Sequence, residues 1–208
     1  MSRFSAVVRE AVASPPTKWE ERSCPDQCVG ALASLREHGS IVSRCPASSR
    51  PSDSSVLLIL ESPHTHEFKG ELGPAKGGTG RLIAKHMLSV PGLDSKESAC
   101  LVLINAVQYQ CSLGEKPTKY RDEVFVAAWR EFGRSDFVAR VAALFRTDYL
   151  VVCACTRGEL GAGQKPLRQL VYEALVEALP PQARVLRRTH PSNWYSEARR
   201  AYDWTLAP

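Results

Sequence analysis

One carboxylate, one carboxamide and one imidazole stand at or just beyond the ends of three separate apolar runs. Glu61 follows Val56–Leu60, Asn105 follows Leu101–Ile104, and His190 follows Arg184–Arg188. A carboxylate can activate water and stabilise positive charge, an imidazole can stabilise a departing anion, and an amide can read a polar edge. Other polar residues share these positions: Ser62, Pro63, His64 and His66; Gln108 and Tyr109; Cys155, Thr156 and Arg157 after Tyr149–Ala154; and Thr189, Pro191, Ser192 and Asn193. Capping and turn formation also place Asn, Ser, Thr and Pro after strands, so residue type alone leaves both readings open.

The four apolar runs read as strands buried on both faces. Helical patterns fall near Ser5–Val12, Cys28–His38, Gly80–Leu88, Asp122–Phe132, Asp136–Arg146, Lys165–Leu179 and Ser196–Trp204. In the sixth, Leu167, Leu170, Val171, Ala174, Leu175 and Ala178 keep the spacing of one helix face. Strands alternating with helices predict a three-layer α/β/α sandwich around a four-stranded parallel sheet, whose carboxyl edge collects the residues above. Gly73, Gly77, Gly78 and Gly80 follow the first strand and predict a loop whose backbone approaches a ligand closely. The expected organisation is one domain over 1–208: a helical lead and connector over 1–50, with 39–55 irregular, and an α/β core over 51–208.

With 44% apolar residues in 208, the chain can build a sizeable core. No run of 18 apolar residues and no leader pattern are present, so the expectation is a cytoplasmic protein without membrane association. The net charge of +5 is a weak sign of a polyanionic partner, but arginines 184, 187, 188, 199 and 200 concentrate positive charge near the end, suiting a phosphate backbone. Seven cysteines, several inside apolar runs, read as reduced and buried. The spacing Cys24, Cys28, His38, Cys45 is not a common zinc pattern, and His64-x-His66 is disturbed by Pro63, so no metal is expected.

Several of these segments also carry a family resemblance. Pro74-Ala75-Lys76-Gly77-Gly78-Thr79-Gly80-Arg81-Leu82-Ile83 resembles the Pro-Phe-x-Gly-x-x-Gly-x-Leu-Leu loop of the uracil-DNA glycosylase superfamily, and Leu60-Glu61-Ser62-Pro63 resembles its Gly-Glu-x-Pro motif. Ile104-Asn105 is similar to its strand-end asparagine, Val151–Ala154 to its third strand, and His190-Pro191-Ser192 to its His-Pro-Ser motif, in the same order. The resemblance implies base excision from DNA by flipping and hydrolysis. Glu61 would then orient or deprotonate water and stabilise the sugar cation, His190 would stabilise the departing base, and Asn105 would read the base edge. Ser62, Pro63, His64, Ala75, Lys76, Gly77 and Tyr109 would bind the base. Arg157, Arg188, Pro191, Ser192, Asn193 and Trp194 would contact double-stranded DNA, with Trp194 or Tyr195 as a wedge.

A monomer needing no cofactor is expected. Cysteines are missing where an iron–sulfur cluster's later ligands would fall, and Glu61 with water, rather than Lys76 as a Schiff-base amine, implies a monofunctional enzyme. Ala75 replaces the aromatic that stacks on the flipped base, leaving Tyr109 or Phe68 to take over. Leu60 and His64 replace glycines, and His64, His66, Lys69 and Lys76 would surround a wider, more polar mouth. Some members of the superfamily in prokaryotic antiviral defence remove glucosylated hydroxymethylcytosine, and that base and uracil both stay open. A nucleotide or nucleoside hydrolase using the Gly77–Gly80 helix start, and a non-catalytic DNA-binding module, are the alternatives.

Overall fold

Every residue of Ser55–Leu60, Cys100–Asn105 and Leu150–Cys153 is buried, because each segment is covered on both faces. The structure, a computed structural model, describes residues 2–49, 54–116 and 119–204. In chain order its elements are α1 (Arg3–Ala11), β1 (Gln27–Ala31), α2 (Leu32–His38), β2 (Cys45–Pro46), β3 (Ser55–Leu60), α3 (Gly78–His86), β4 (Cys100–Asn105), α4 (Arg121–Ala128), α5 (Arg134–Leu144), β5 (Leu150–Cys153), α6 (Leu167–Ala178), β6 (Arg184–Arg187) and α7 (Glu197–Ala201). A π-helical turn, Trp129–Gly133, joins α4 to α5.

The strands form one six-stranded sheet in the order β2-β1-β4-β3-β5-β6. β4, β3, β5 and β6 are parallel, whereas β1 runs antiparallel to both β2 and β4. Side chains alternate across it. Leu57 and Ile59 of β3 face a core shared with α1, α4, α5 and α6, while Val56, Leu58 and Leu60 face a second core shared with α2 and α3. The chain steps from β3 to β4 on one side, then returns past β3 to β5 and β6. Right-handed connections that reverse direction place their helices on opposite faces, so α3 lies on one face and α4, α5 and α6 on the other. The reversal leaves a crevice at the carboxyl ends of β3 and β5.

The expected four-stranded sheet is therefore corrected to six strands, the four anticipated ones being its parallel part. The additional pair comes from the segment read as lead and connector. Cys28–His38 is not one helix: Cys28 and Val29 belong to β1, Gly30 sits at φ +95° where the pairing with β4 is irregular, and only Leu32–His38 is helical. The proposed boundary near residue 50 divides elements of a single sheet, and α1 buries Phe4, Val7 and Val8 in the first core. Positions 50–53 of the expected connector lie outside the described residues. No helix among the described residues is long and apolar enough to cross a membrane.

Candidate active site

Glu61 is the first residue beyond β3, and two main-chain bonds prolong the sheet past it: Ala106 donates to Leu60 O at 2.8 Å and Val107 to Glu61 O at 2.9 Å. Its side chain crosses to β5. Oε2 accepts the Thr156 N–H at 2.8 Å, and Oε1 lies 3.6 Å from Arg121 Nε. Arg121, in the first turn of α4, also donates from Nε to Asp122 Oδ1 at 2.6 Å. Burial disfavours the Arg121 charge, but the bond to Asp122 and the fields of Glu61 and Asp122 outweigh it and hold the guanidinium above its ordinary range. With Glu61 only 6% exposed, the charge-assisted contacts stand in for the water it lost.

His190 reaches the same cavity from the loop after β6. The loop is fixed from behind by two indoles: Trp204 Nε1 donates to Arg188 O and Trp194 Nε1 to Thr189 O, each at 2.9 Å. The Ser192 N–H donates to His190 Nδ1 at 3.2 Å, and Ser192 Oγ lies 2.8 Å from that nitrogen. Because Nδ1 accepts a main-chain N–H, the proton of a neutral ring is on Nε2, which is then a donor. Burial pushes the imidazole below its ordinary range; the Glu61 carboxylate opposes this and the Arg121 guanidinium adds to it. A neutral donor therefore sits within the field of a carboxylate.

The cavity between them measures about 220 Å³ and is also lined by Leu60, Ser62, Pro63, His64, Glu67, Thr79, Ser112, Arg121, Thr156 and Ser192. A second cleft of about 420 Å³ shares Arg121 and Thr156 with it and continues past Arg157, Gly158 and Gln164. Thr79 arrives from the N-terminal turn of α3. The glycine-rich loop before it closes on the protein's own groups, not on an open ligand face. A Cβ at Gly73 would lie 2.2 Å from Gln27 Oε1, and one at Gly80 would lie 1.9 Å from Ala75 O. Arg44 donates to Pro74 O at 2.7 Å, and Gln27 to Leu72 O at 2.8 Å.

Of the residues expected to bind a base, Ser62, Pro63 and His64 line the cavity. Four others do not. Ala75, at φ +55°, is buried in the second core; Lys76 Nζ donates to Lys69 O and Glu71 O across its own loop; and a Cβ on Gly77 would approach His66 Nδ1 at 3.3 Å. Tyr109 stacks on Phe4 with ring centroids 4.7 Å apart, and neither it nor Phe68 is a wall of the cavity, so no Phe, Tyr or Trp lines it among the described residues. His64 supplies a ring there instead, held below its ordinary range first by burial and then by His66 and Lys69.

Asn105 ends β4 as expected but stands behind the cavity. It is almost fully buried, its Nδ2 donates to Glu67 Oε2 at 3.3 Å, and Oδ1 has no partner among the described residues. Arg140 of α5 fixes this strand end, donating to Asn105 O at 3.1 Å and Ala106 O at 3.2 Å while pairing with Asp26 at 2.7 Å. Glu67 takes the wall position assigned to Asn105. Burial pushes its carboxyl up to about 7, against the pull of the His64 N–H, Asn105, the Ala75 N–H and Arg44.

The DNA-contact residues divide similarly. Ser192 lines the cavity and Arg157 the adjoining cleft, both exposed, and Asn193, which follows Ser192 in the same turn, is partly exposed. Pro191 is buried at the start of its short turn. Arg188 is buried, donating to Pro91 O and Arg187 O and lying 3.4 Å from Asp203, so it serves the scaffold and not a ligand surface. Trp194 is 0% exposed and cannot act as a wedge without leaving its place, whereas Tyr195 is 66% exposed. Sequence reasoning missed Arg121 and Glu67. Neither carries a local signal: Arg121 begins a helix far in sequence from Glu61, and Glu67 lies in a short turn with Asn105, its side-chain partner, far along the chain.

All seven cysteines are thiols, and all but Cys45 are buried. Cys24 faces Glu67, Cys28 faces Cys45 across the β1–β2 pair, and His38 Nδ1 lies 2.7 Å from Ser34 O. Among the described residues no group of three or more His, Cys, Asp or Glu is arranged to hold a metal ion. Compared with protein-family models, with curated proteins and with solved structures, the chain gives no significant match.

Proposed function

We propose that this protein is a monofunctional DNA glycosylase, which flips a modified pyrimidine nucleotide out of duplex DNA and hydrolyses its base from deoxyribose. The observation that carries this reading is the placement of the Glu61 carboxylate and the His190 imidazole on one cavity of about 220 Å³. Water held by Glu61 attacks the anomeric carbon, and the same carboxylate stabilises the positive charge that develops on the sugar. The His190 Nε2–H stabilises negative charge on the leaving base. Both effects are strengthened when the bound base displaces water from the cavity. The amine of Lys76 is engaged by two carbonyls, which favours hydrolysis over Schiff-base chemistry and strand cleavage.

Cavities for drug-sized ligands span about 300–1,000 Å³. The smaller volume here suits a single base, and the adjoining cleft favours a base with a bulky substituent, such as glucosylated hydroxymethylcytosine, over plain uracil. The reading is of a monomer acting on DNA in the cytoplasm. Incubation with duplexes containing uracil, hypoxanthine and methylated, hydroxymethylated and glucosylated cytosines tests the proposal. Release of a free base, and an abasic site revealed by alkali, are expected.

A further inference from the structure

Hydrolysis of a base from deoxyribose needs a proton for the departing ring as well as a base for the water. Glu61 and His190 leave that requirement unmet, since a neutral imidazole with Nδ1 occupied stabilises charge without having a spare proton to lose. The cavity has a second carboxyl. Glu67 lines it from the turn after β3, is 6% exposed, and is tied by Asn105 Nδ2 at 3.3 Å and by the main-chain N–H groups of His64 and Ala75.

Resting on the glycosylase reading, we infer that Glu67 is the general acid of this site, passing its proton to a ring nitrogen or oxygen of the leaving base. The charges around it fit the role. Arg44 acts on it from the protein side, Cys24 and His64 flank it, and Glu61, Arg121 and His190 share the cavity. Burial outweighs the attraction of Arg44 and the three donors, so the acid form persists to about pH 7. Two carboxyls share one cavity: Glu61 is held by the Thr156 N–H and Arg121, and Glu67, kept protonated by burial, supplies the acid. The buried Asn105 amide, donating from Nδ2 to Glu67, is explained as the holder of this acid and not as a reader of the base.

The step balances. Water oxygen bonds to C1′ while its proton goes to Glu61; the C1′–N1 bond breaks with its electron pair going to the base; and the Glu67 proton joins that base at N3 or O2. The products are a neutral base, an abasic sugar, protonated Glu61 and ionised Glu67. A cytosine ring, having an unprotonated N3, is the pyrimidine best matched to such a donor.

The test is single-turnover base release from duplex DNA carrying glucosylated hydroxymethylcytosine, measured from pH 5.5 to 9 for the wild type and Glu67→Gln. The wild-type rate is expected to fall tenfold per pH unit above about 7, and Glu67→Gln to be slower by about 10²–10⁴-fold at pH 6 with that decline abolished. Unaltered DNA affinity would separate this from a packing defect. Infrared titration of the wild-type carboxyls, with a group ionising near 7, provides the check if the variant does not fold. Release by the variant at the wild-type rate, or with the same alkaline decline, overturns the role of Glu67 and leaves the glycosylase reading standing. Absence of release by the wild type from every DNA offered overturns both.

Discussion

The Glu61 carboxylate reaches from the end of β3 to the end of β5 and accepts the Thr156 N–H at 2.8 Å. The bond spans the crevice where the strand order reverses, so the geometry of the Glu61 carboxylate is set by the ends of the sheet strands. The other oxygen faces Arg121 at 3.6 Å. Together these contacts keep a buried carboxylate in one orientation toward a cavity that His190 closes.

Glu61→Gln keeps an oxygen to accept from Thr156 but removes the negative charge. Base release is expected to fall by about 10²–10⁴-fold, with DNA binding retained. Gel-shift and excision assays on the same preparation check this; DNA binding with no excision by either protein would favour the non-catalytic binding module, and unchanged excision would remove Glu61 from the chemistry.

Arg121→Met leaves Glu61 and Asp122 without the cation between them. Both ends of the Glu61–Arg121 pair are about nine-tenths buried, and removing one partner of a buried pair typically costs about 3–5 kcal/mol. A lowered denaturant midpoint is the expected result. His190→Ala is expected to leave stability largely intact and reduce release by about 10²–10³-fold through loss of a preorganised donor.

Trp194 and Tyr195 separate scaffold from surface. Trp194→Ala removes a fully buried indole that holds Thr189 O and is expected to cost about 3–5 kcal/mol of stability. Tyr195→Ala should melt like the wild type yet excise less efficiently from duplex than from single-stranded DNA, as loss of a wedge predicts. Equal losses on both substrates would remove Tyr195 from that role.

Glu67 also links stability to pH. Its carboxyl is raised from 4.5 to about 7 in the folded protein, so the native state holds a proton that the unfolded chain releases. The stabilisation is fully present below about pH 4.5 and is lost as pH rises through 7. The difference is on the order of 3 kcal/mol. Thermal melts at pH 5.5 and 8.5 should differ less for Glu67→Gln than for the wild type.

Three of the four parallel strands were legible because Val56–Leu60, Leu101–Ile104 and Tyr149–Ala154 are continuous apolar runs, the pattern required by burial on both faces. By contrast β6, expected to be buried on both faces too, is an edge strand that is only partly buried. β1 was not legible. It passes directly into α2, so Cys28, Val29 and Leu32 read as one helical face, and the left-handed Gly30 that bends it looks like any tolerated glycine. Glu61 and His190 could be found because a parallel sheet gathers strand ends at one edge. Glu67 and Arg121 could not, since only tertiary packing brings a turn and a helix start to that edge. The exchange of Asn105 for Glu67 at the wall, and of Trp194 for Tyr195 at the surface, depends on side-chain burial that spacing does not encode.

The most direct measurement is mass spectrometry of the small molecules freed from a panel of uracil, hypoxanthine and modified-cytosine duplexes by the wild type and Glu61→Gln. A free modified pyrimidine released by the wild type and nearly absent with the variant is the result expected. Intact glycosidic bonds throughout the panel, or equal release by both proteins, would contradict the account.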